Sequence, residues 1–462
     1  MEQRNIVFIC LDTVRKDYFD KFSKRIKRLS DIDFDEAYAA SSWSVPSHGT
    51  MLTGQLPSDH GVHTHNLDFG SINQTVLDEL EGYQRIGVSA NGYANSNFNF
   101  DGYFDEFFEV YSGMDNLAGL NVRDFVNDLD DDLSITSYIS FLKATLGHEQ
   151  TIASLRNGAK ALLNERLSET NIVPTPFDKG AQLVCKTTIN RINESSEPFF
   201  AFMNVMDAHE PHRDCLKYDE SKYDVPFGWS SDGKDYVFGN TTSVDEDYFK
   251  ELYGASIDYL DRVISSFVRD LRSRTNAETT IIISADHGDN LREPTSYGQW
   301  GHVYTKHLTD GLLHVPLAII NPPSEMNMDP SRLISHLDLP DLFRDFAGLK
   351  NFSQDRKKIV AETIGTGSLG RVYMDEDISE EEYQEWDQSL RLVEKDGVRV
   401  EWNSNGDCFE HREGELSKID ELPEWAVSEF KDPISEYKEK WKDQNDDLSD
   451  GIMNRLRDLG YA

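Results

Sequence analysis

The run NIVFICLD, residues 5–12, is a short continuous stretch of apolar residues that ends in an acid. This pattern is typical of a strand buried on both faces of a parallel sheet, with its carboxyl end opening into a site. Further runs of this kind are RIGVSAN (85–91), PFFAFMNVMD (198–207), TTIIISADHGD (279–289) and HVPLAIIN (314–321). The segments 74–81, 180–195 and 247–273 that precede three of them have helical character. The alternation predicts an α/β sandwich with a largely parallel central sheet.

Two regions look added to this core. Residues 110–180 are mostly polar, helix-like sequence without a strand run, which predicts a helical insertion of the kind that covers a site. From residue 351 the short runs KIVAET, GRVYM, QSLRLVEKDGVRVEW and DCFEHREG predict antiparallel strands, and acidic helical sequence follows them. We therefore predict a catalytic domain over 1–350 and a small C-terminal antiparallel subdomain over 351–462.

The composition is strongly acidic. The chain of 462 residues has 83 Asp and Glu against 46 Lys and Arg, a formal net charge of −37. Such a field repels nucleic acid and anionic membranes, so we expect no nucleic-acid partner. Dense surface carboxylates favour adaptation to high salt over binding of a cationic partner.

The sequence also predicts where the protein works. Its first residues, MEQRNIVFICLDTV, lack the features of a secretory signal. No stretch approaches the roughly 18 apolar residues that span a bilayer, and the four cysteines form no CxxC pair. We expect a cytoplasmic protein without a membrane span.

Polar side chains follow the predicted strands where each one ends: Asp12, Asn91, Asp207, Asp286 and His287. Ligands bind at the carboxyl ends of strands in open α/β sheets. An Asp-His pair by itself is as often a hydrogen-bonded structural pair. Together with Asp12, however, the pair provides carboxylate and imidazole ligands from separate strands, which suit Zn, Mn or Mg, with Ca as a further option.

The stretch SSWSVPSHGTMLTG (41–54) predicts a junction that leads into a helix. By itself it is best explained by Ser44 or Ser47 capping that helix. Beside a metal, Ser44 becomes a candidate nucleophile, because a serine hydroxyl is weak unless a base or metal lowers its pKa. The N–H groups at the start of the helix also favour a tetrahedral oxyanion there.

The stretch SVPSHGTMLTG (44–54) resembles the signature of the sulfatase family of the alkaline phosphatase superfamily, with Ser44 at the position that sulfatases convert to formylglycine. Other segments resemble family landmarks in the same order: NIVFICLDTVRKD, FMNVMDAHEPH, SADHGDN, KHLTDGLLHVPLAI and ISHLDLPDLFRDFAGL. The resemblance covers most of the chain apart from 110–180. It implies an alkaline-phosphatase-like fold and a metal-dependent hydrolase of sulfate esters.

The resemblance also implies a role for each matching residue. The divalent metal, with Ca, Mn, Zn or Mg as candidates, is assigned to Asp12, Ser44, Asp286 and His287. Catalysis is assigned to Ser44 as nucleophile, to His209 beside the leaving group with a pKa near neutrality, and to Lys306 on a non-bridging oxygen. Asn91, His48 and His302 are assigned to substrate binding. The expected substrate is a small-molecule or glycan sulfate or phosphate ester.

Three departures from the sulfatase pattern leave the identity of the ester open. His48 replaces the signature arginine, GYQRIGVSANGY lacks a Lys-X-His, and Thr13 replaces a second aspartate. Asn91 resembles the asparagine of nucleotide pyrophosphatase-like relatives. One alternative is therefore a phosphoester hydrolase or phosphotransferase that uses unmodified Ser44 and a phosphoserine intermediate. A second alternative is a non-catalytic binding protein on this scaffold.

Overall fold

The computed structural model describes residues 3–110, 119–120, 125, 135–170, 173–195, 198–232, 236, 241–275, 278–303, 305–366, 386–412 and 414–436. The strands are β1 (Asn5–Leu11), β2 (Ile32–Asp33), β3 (Ala37–Tyr38), β4 (Gln84–Ser89), β5 (Glu106–Glu109), β6 (Phe199–Val205), β7 (Thr279–Ser284), β8 (Asn290–Leu291), β9 (Trp300–Gly301), β10 (Leu317–Ile320), β11 (Ile334–Ser335), β12 (Lys358–Thr363), β13 (Leu390–Lys395), β14 (Val398–Asn403), β15 (Cys408–Arg412) and β16 (Glu415–Lys418).

The α-helices are α1 (Lys16–Phe22), α2 (Lys24–Leu29), α3 (Ser44–Thr53), α4 (Pro57–His60), α5 (Ile135–Leu146), α6 (Thr151–Thr170), α7 (Ala181–Glu194), α8 (Ser243–Arg272), α9 (Asp310–Leu313), α10 (Leu339–Phe346) and α11 (Glu424–Val427). Short 3₁₀ turns lie at Phe69–Ser71, Val76–Glu79, Ser96–Phe98, Phe100–Tyr103, Glu220–Lys222, Pro294–Ser296 and His336–Asp338.

The central sheet has seven strands in the order β2-β10-β7-β1-β6-β4-β5. The five strands from β7 to β5 pair in parallel, and β10 is antiparallel to both of its neighbours. Every residue of β1, β6 and β7 is buried, as expected for strands covered on both faces. The predicted α/β fold with a largely parallel sheet is confirmed.

Helices cover this sheet with apolar side chains. Helix α8 packs against α1, α2 and α7, and α7 contacts β4 and β6. In α10, Phe343 lies against Phe8 and Phe200, with ring centroids 5.3 Å apart in both pairs. These layers fix the backbone directly beneath the carboxyl ends of the strands.

The C-terminal strands form a separate antiparallel sheet in the order β12-β13-β14-β15-β16, which confirms the predicted small second sheet. The predicted strand GRVYM and the helical sequence beyond residue 436 lie outside the described residues. Within the predicted insertion, α5 and α6 form a helical hairpin. Across the described part of the chain, every helix is too short or too polar to cross a membrane.

Candidate active site

The candidate site lies at the carboxyl ends of three strands. Asp12 directly follows β1, Asn91 follows β4, and Asp286 and His287 follow β7. Because β1 pairs with β7, and β6 joins β1 to β4, their ends meet at one edge of the sheet. The structure thus brings these predicted residues together.

The ligand atoms of Asp12, Asp286 and His287 lie within 4.8 Å of one another. All three residues are fully buried, and Asp286 Oδ2 has no hydrogen-bond partner. Burial raises the pKa of Asp12, and the negative charge of Asp286 raises it further, to about 6. A divalent cation would offset both effects and use the unpaired oxygen. These residues therefore fit a divalent metal.

Thr13 orients the two carboxylates. Its backbone is left-handed, with φ of 62°, an uncommon conformation for this residue type. The Thr13 N–H donates to Asp286 Oδ1 at 3.1 Å, and its hydroxyl donates to Asp12 Oδ1 at 2.7 Å. Thr13, which stands where many sulfatases have a second aspartate, thus donates hydrogen bonds to the carboxylates of both Asp12 and Asp286.

Ser44 is the first residue of α3, whose N-cap is Trp43. The alternative that Ser44 or Ser47 caps this helix is wrong, since no side chain makes a capping bond and Ser47 lies a turn inside it. Ser44 Oγ lies 3.3 Å from His287 Nε2 and 3.2 Å from Asn91 Nδ2. The hydroxyl therefore faces the metal-ligand cluster at the amino end of a helix, where backbone N–H groups are unpaired.

His48 faces the protein interior. Its Nδ1 lies 2.7 Å from the main-chain oxygen of Ser44, and its Nε2 lies 3.2 Å from Asn204 Nδ2. Cys10, His48 and Asp286 form a second cluster of metal-ligand type. Because both nitrogens of His48 are engaged in hydrogen bonds, this cluster suits a metal less well than the first.

Two further histidines stand beside the metal-ligand cluster. The ring of His302 lies 4.6 Å from that of His287 and 5.1 Å from that of His209. His302 Nδ1 is 3.3 Å from Asp289 Oδ1. Burial alone would lower the pKa of His302, but the hydrogen bond and charge of Asp289 outweigh it and raise the pKa to about 8.

His209 has the opposite electrostatic environment. Burial, together with the positive charges of His302 and Lys179, holds the pKa of His209 well below its ordinary value. The pKa of His209 therefore lies below the near-neutral value expected from the sequence, because burial and a neighbouring cation both disfavour the charged ring. The two neighbouring rings thus differ in basicity, since the pKa of His302 is raised and that of His209 is lowered.

Lys306 contacts the C-terminal region. Its ammonium lies over the ring of Trp386, 4.2 Å from the centroid, in the C-terminal region. Asp289 and Lys179 are site residues that were not predicted from the sequence. Asp289 lies two residues after His287 in the same SADHGDN motif, which was an available signal. Lys179 carried no signal: its ammonium bonds the main-chain oxygen of His209, a contact made by the fold.

The model of the sulfatase family matches residues 4–349. A search of the curated proteins found no match.

Among solved structures, the chain is similar to the phosphonate monoester hydrolase SpPMH from Silicibacter pomeroyi, with 15% identity, a TM-score of 0.58, and 99% of this chain and 96% of that chain covered. It is also similar to a 2-O GAG sulfatase, with 14% identity, a TM-score of 0.54 and coverage of 97% and 94%. A third structure, solved with its substrate D-glucosamine-2-N,6-O-disulfate, has 12% identity, a TM-score of 0.54 and coverage of 99% and 98%. At these identities the likeness shows the fold.

Proposed function

The chain belongs to the sulfatase family of the alkaline phosphatase superfamily, and we propose that it hydrolyses a sulfate ester with Ser44 as the nucleophile. The observation that carries this proposal is the position of Ser44 Oγ, which lies 3.3 Å from His287 Nε2 at the start of α3. A divalent metal held by Asp12, Ser44, Asp286 and His287 would supply positive charge that lowers the pKa of the nucleophile and stabilises oxygen anions.

The protein's own side chains have separate tasks in this reaction. The oxygen at position 44, a hydroxyl of the hydrated formylglycine, gives up its proton and attacks the sulfur as the bond to the departing alcohol oxygen breaks. Loss of the proton of the second hydroxyl of the hydrate then breaks the carbon–oxygen bond to the sulfate group, which expels sulfate and regenerates the aldehyde. Asn91 donates toward Ser44 Oγ at 3.2 Å and so holds this oxygen in place. His302, whose positive charge Asp289 stabilises, delivers a proton to the alcohol oxygen as this oxygen leaves. Neutral His209 lies against the ring of His302.

The side chains of the site leave a second candidate function. Asp12 and Asp286 together balance a divalent cation, and Asp289 balances the charge of His302, so net charge does not select between a sulfate monoester and an equally charged phosphorus ester. His48, at the position of the sulfatase signature arginine, has both ring nitrogens hydrogen-bonded inside the protein. This replacement favours, as the second candidate function, hydrolysis of a phosphonate monoester or phosphate diester by unmodified Ser44.

Mass spectrometry of the peptide that contains residues 41–54 separates the two candidates. Loss of two hydrogens at Ser44 supports formylglycine and sulfate, and an intact serine supports the phosphorus ester. A panel of p-nitrophenyl sulfate, phenylphosphonate and phosphate mono- and diesters, with Mn, Zn, Mg or Ca, then identifies the ester. The panel uses both low and molar salt, because we expect the self-repulsion of a net charge of −37 to make folding salt-dependent.

Ser44→Ala should abolish turnover of whichever ester is cleaved. The matched control is Ser47→Ala, in the same buried helix, whose hydroxyl lies 3.4 Å from the main-chain oxygen of Ser41. We expect the control to keep most of the activity. Equal activity in both variants would overturn the proposal, and a wild-type protein with neither bound metal nor turnover would favour a binding protein.

A further inference from the structure

A buried carboxylate of the C-terminal sheet contacts the segment that carries His302 and Lys306. Glu401 lies in the middle of β14 and is only 1% exposed. It stands opposite Leu392 in the β13–β14 register, so both side chains lie on the same face of the sheet. Leu392 belongs to an apolar cluster with Leu308, Leu312 and Leu313. A carboxylate on such a face destabilises the fold unless it is satisfied by hydrogen bonds.

The bonds that satisfy it come from the active-site segment. Glu401 Oε2 accepts from the Leu308 N–H at 2.7 Å, and Glu401 Oε1 lies 2.6 Å from His307 Nδ1. His411 of β15 lies 3.5 Å from the same carboxylate. Burial alone would raise the pKa of Glu401, but the hydrogen bonds and charges of His307 and His411 outweigh it and lower the pKa. Glu401 is thus an anion that holds the segment from the C-terminal side.

Gln299, at the start of the segment, ties that end to the residues next to the Glu401 contacts. Its Oε1 accepts from the Lys306 N–H at 2.6 Å, from the His307 N–H at 3.2 Å and from the Thr305 hydroxyl at 3.0 Å. Between these anchors, β9 pairs with β8, which begins directly after Asp289. His302 follows β9 immediately, so the anchors determine where its ring meets Asp289.

We propose that Glu401 is a positioning residue, which fixes residues 299–303 and 305–309 so that His302 stays paired with Asp289 in the active site. The C-terminal sheet then contributes to catalysis, because it holds an active-site segment in position. This inference rests on the proposed function only for its kinetic consequence, since the contact of Glu401 with the segment is independent of the ester.

The test uses a closely matched pair of variants. Glu362 is a second buried carboxylate of the same sheet, in β12: it accepts from the Ser58 N–H at 2.7 Å and pairs with Arg391 at 2.7 Å, away from the active-site segment. We expect Glu401→Gln to increase amide hydrogen exchange across 299–309, and Glu362→Gln to leave that exchange unchanged. This readout requires no substrate, so it decides the proposal even if no ester is turned over.

Kinetic measurements then test whether Glu401 affects turnover through His302. We expect Glu401→Gln to lower kcat/KM about ten- to a hundredfold, and Glu362→Gln to lower it less than about twofold at a matched loss of Tm. In a His302→Ala background, Glu401→Gln should lower kcat/KM by less than about twofold, because the residue through which Glu401 acts is gone. If Glu401→Gln does not fold, His307→Gln takes its place with the same expected exchange. Unchanged exchange across 299–309, or fully additive losses with His302→Ala, would overturn the proposal.

Discussion

The Nδ1 of His48 lies 2.7 Å from the main-chain oxygen of Ser44, one helical turn earlier. Nδ1 therefore donates to this carbonyl, and Nε2 accepts from Asn204 Nδ2 at 3.2 Å. The rings of Phe100 and Phe202 also pack against His48 at steep angles, with centroids 5.6 Å and 5.8 Å from that of the imidazole. His48 thus supports the proposed nucleophile from inside the protein.

This placement predicts the result of restoring the arginine of the sulfatase signature. His48→Arg should lower the free energy of unfolding by about 3 kcal/mol or more, because a larger charged side chain replaces a ring that is 1% exposed. It should also reduce turnover, since the bond to the Ser44 carbonyl is lost. Urea unfolding and kcat measure the two effects.

The control for this variant is His48→Gln, whose amide can still donate to a carbonyl without adding charge. We expect it to retain more stability and activity than His48→Arg. Wild-type stability together with increased turnover in His48→Arg would show that position 48 faces the substrate.

The metal-ligand cluster was predictable from the sequence for a simple geometric reason. Asp12, Asp286 and His287 each follow a continuous apolar strand, and parallel strands end at the same edge of a sheet. The orientation of the 299–309 segment was not predictable in this way. It depends on Glu401, about a hundred residues away, and on Gln299, so Lys306 points at Trp386 while His302 reaches the other histidines. Contacts between distant segments of irregular backbone leave no periodic pattern in a sequence.

Metal removal should destabilise the wild-type protein. Binding to the native state alone contributes about 2.7 kcal/mol at a metal concentration a hundredfold above Kd. In Asp12→Asn this response should be lost, yet the metal-free variant should be at least as stable as the metal-free wild type, because one of two facing buried carboxylates becomes neutral. Thermal unfolding with chelator and with added Mn, Zn, Mg or Ca measures both effects.

The matched control for Asp12→Asn is Asp207→Asn. Asp207 also follows a buried strand and is fully buried, but it accepts from the N–H groups of Lys179 and Ala181 outside the metal-ligand cluster. Asp207→Asn should still become more stable when metal is added. A metal response that survives in Asp12→Asn would remove Asp12 from the ligand set.

His60 predicts part of the response of the fold to acid. It is 6% exposed and its Nδ1 accepts from the Val62 N–H, and burial lowers its pKa from 6.5 to about 3. Between these two values the unfolded chain binds a proton that the native state does not. Stability is therefore lost as the pH falls below 6.5, at about 1.4 kcal/mol per pH unit for one proton.

Urea unfolding at several pH values between 4 and 7 tests this expectation. His60→Asn should reduce the slope of unfolding free energy against pH by about one proton, although it is less stable at neutral pH. The control is His148→Asn, in the turn between α5 and α6, where the side chain is only partly buried. An equal reduction of slope in both variants would contradict the assignment to His60.

The pairing of His302 with Asp289 predicts which histidine protonates the leaving group. Within the proposed function, His302 carries the proton and His209 is neutral, so only His302→Gln should penalise poor leaving groups. We expect its loss of kcat/KM to grow from about tenfold or less with p-nitrophenyl esters to about a hundredfold or more with alkyl esters. His209→Gln should lower kcat/KM by a similar factor for every leaving group, because His209 contacts the substrate but supplies no proton. Leaving-group series for both variants measure the difference, and a steeper dependence in His209→Gln would exchange the two roles.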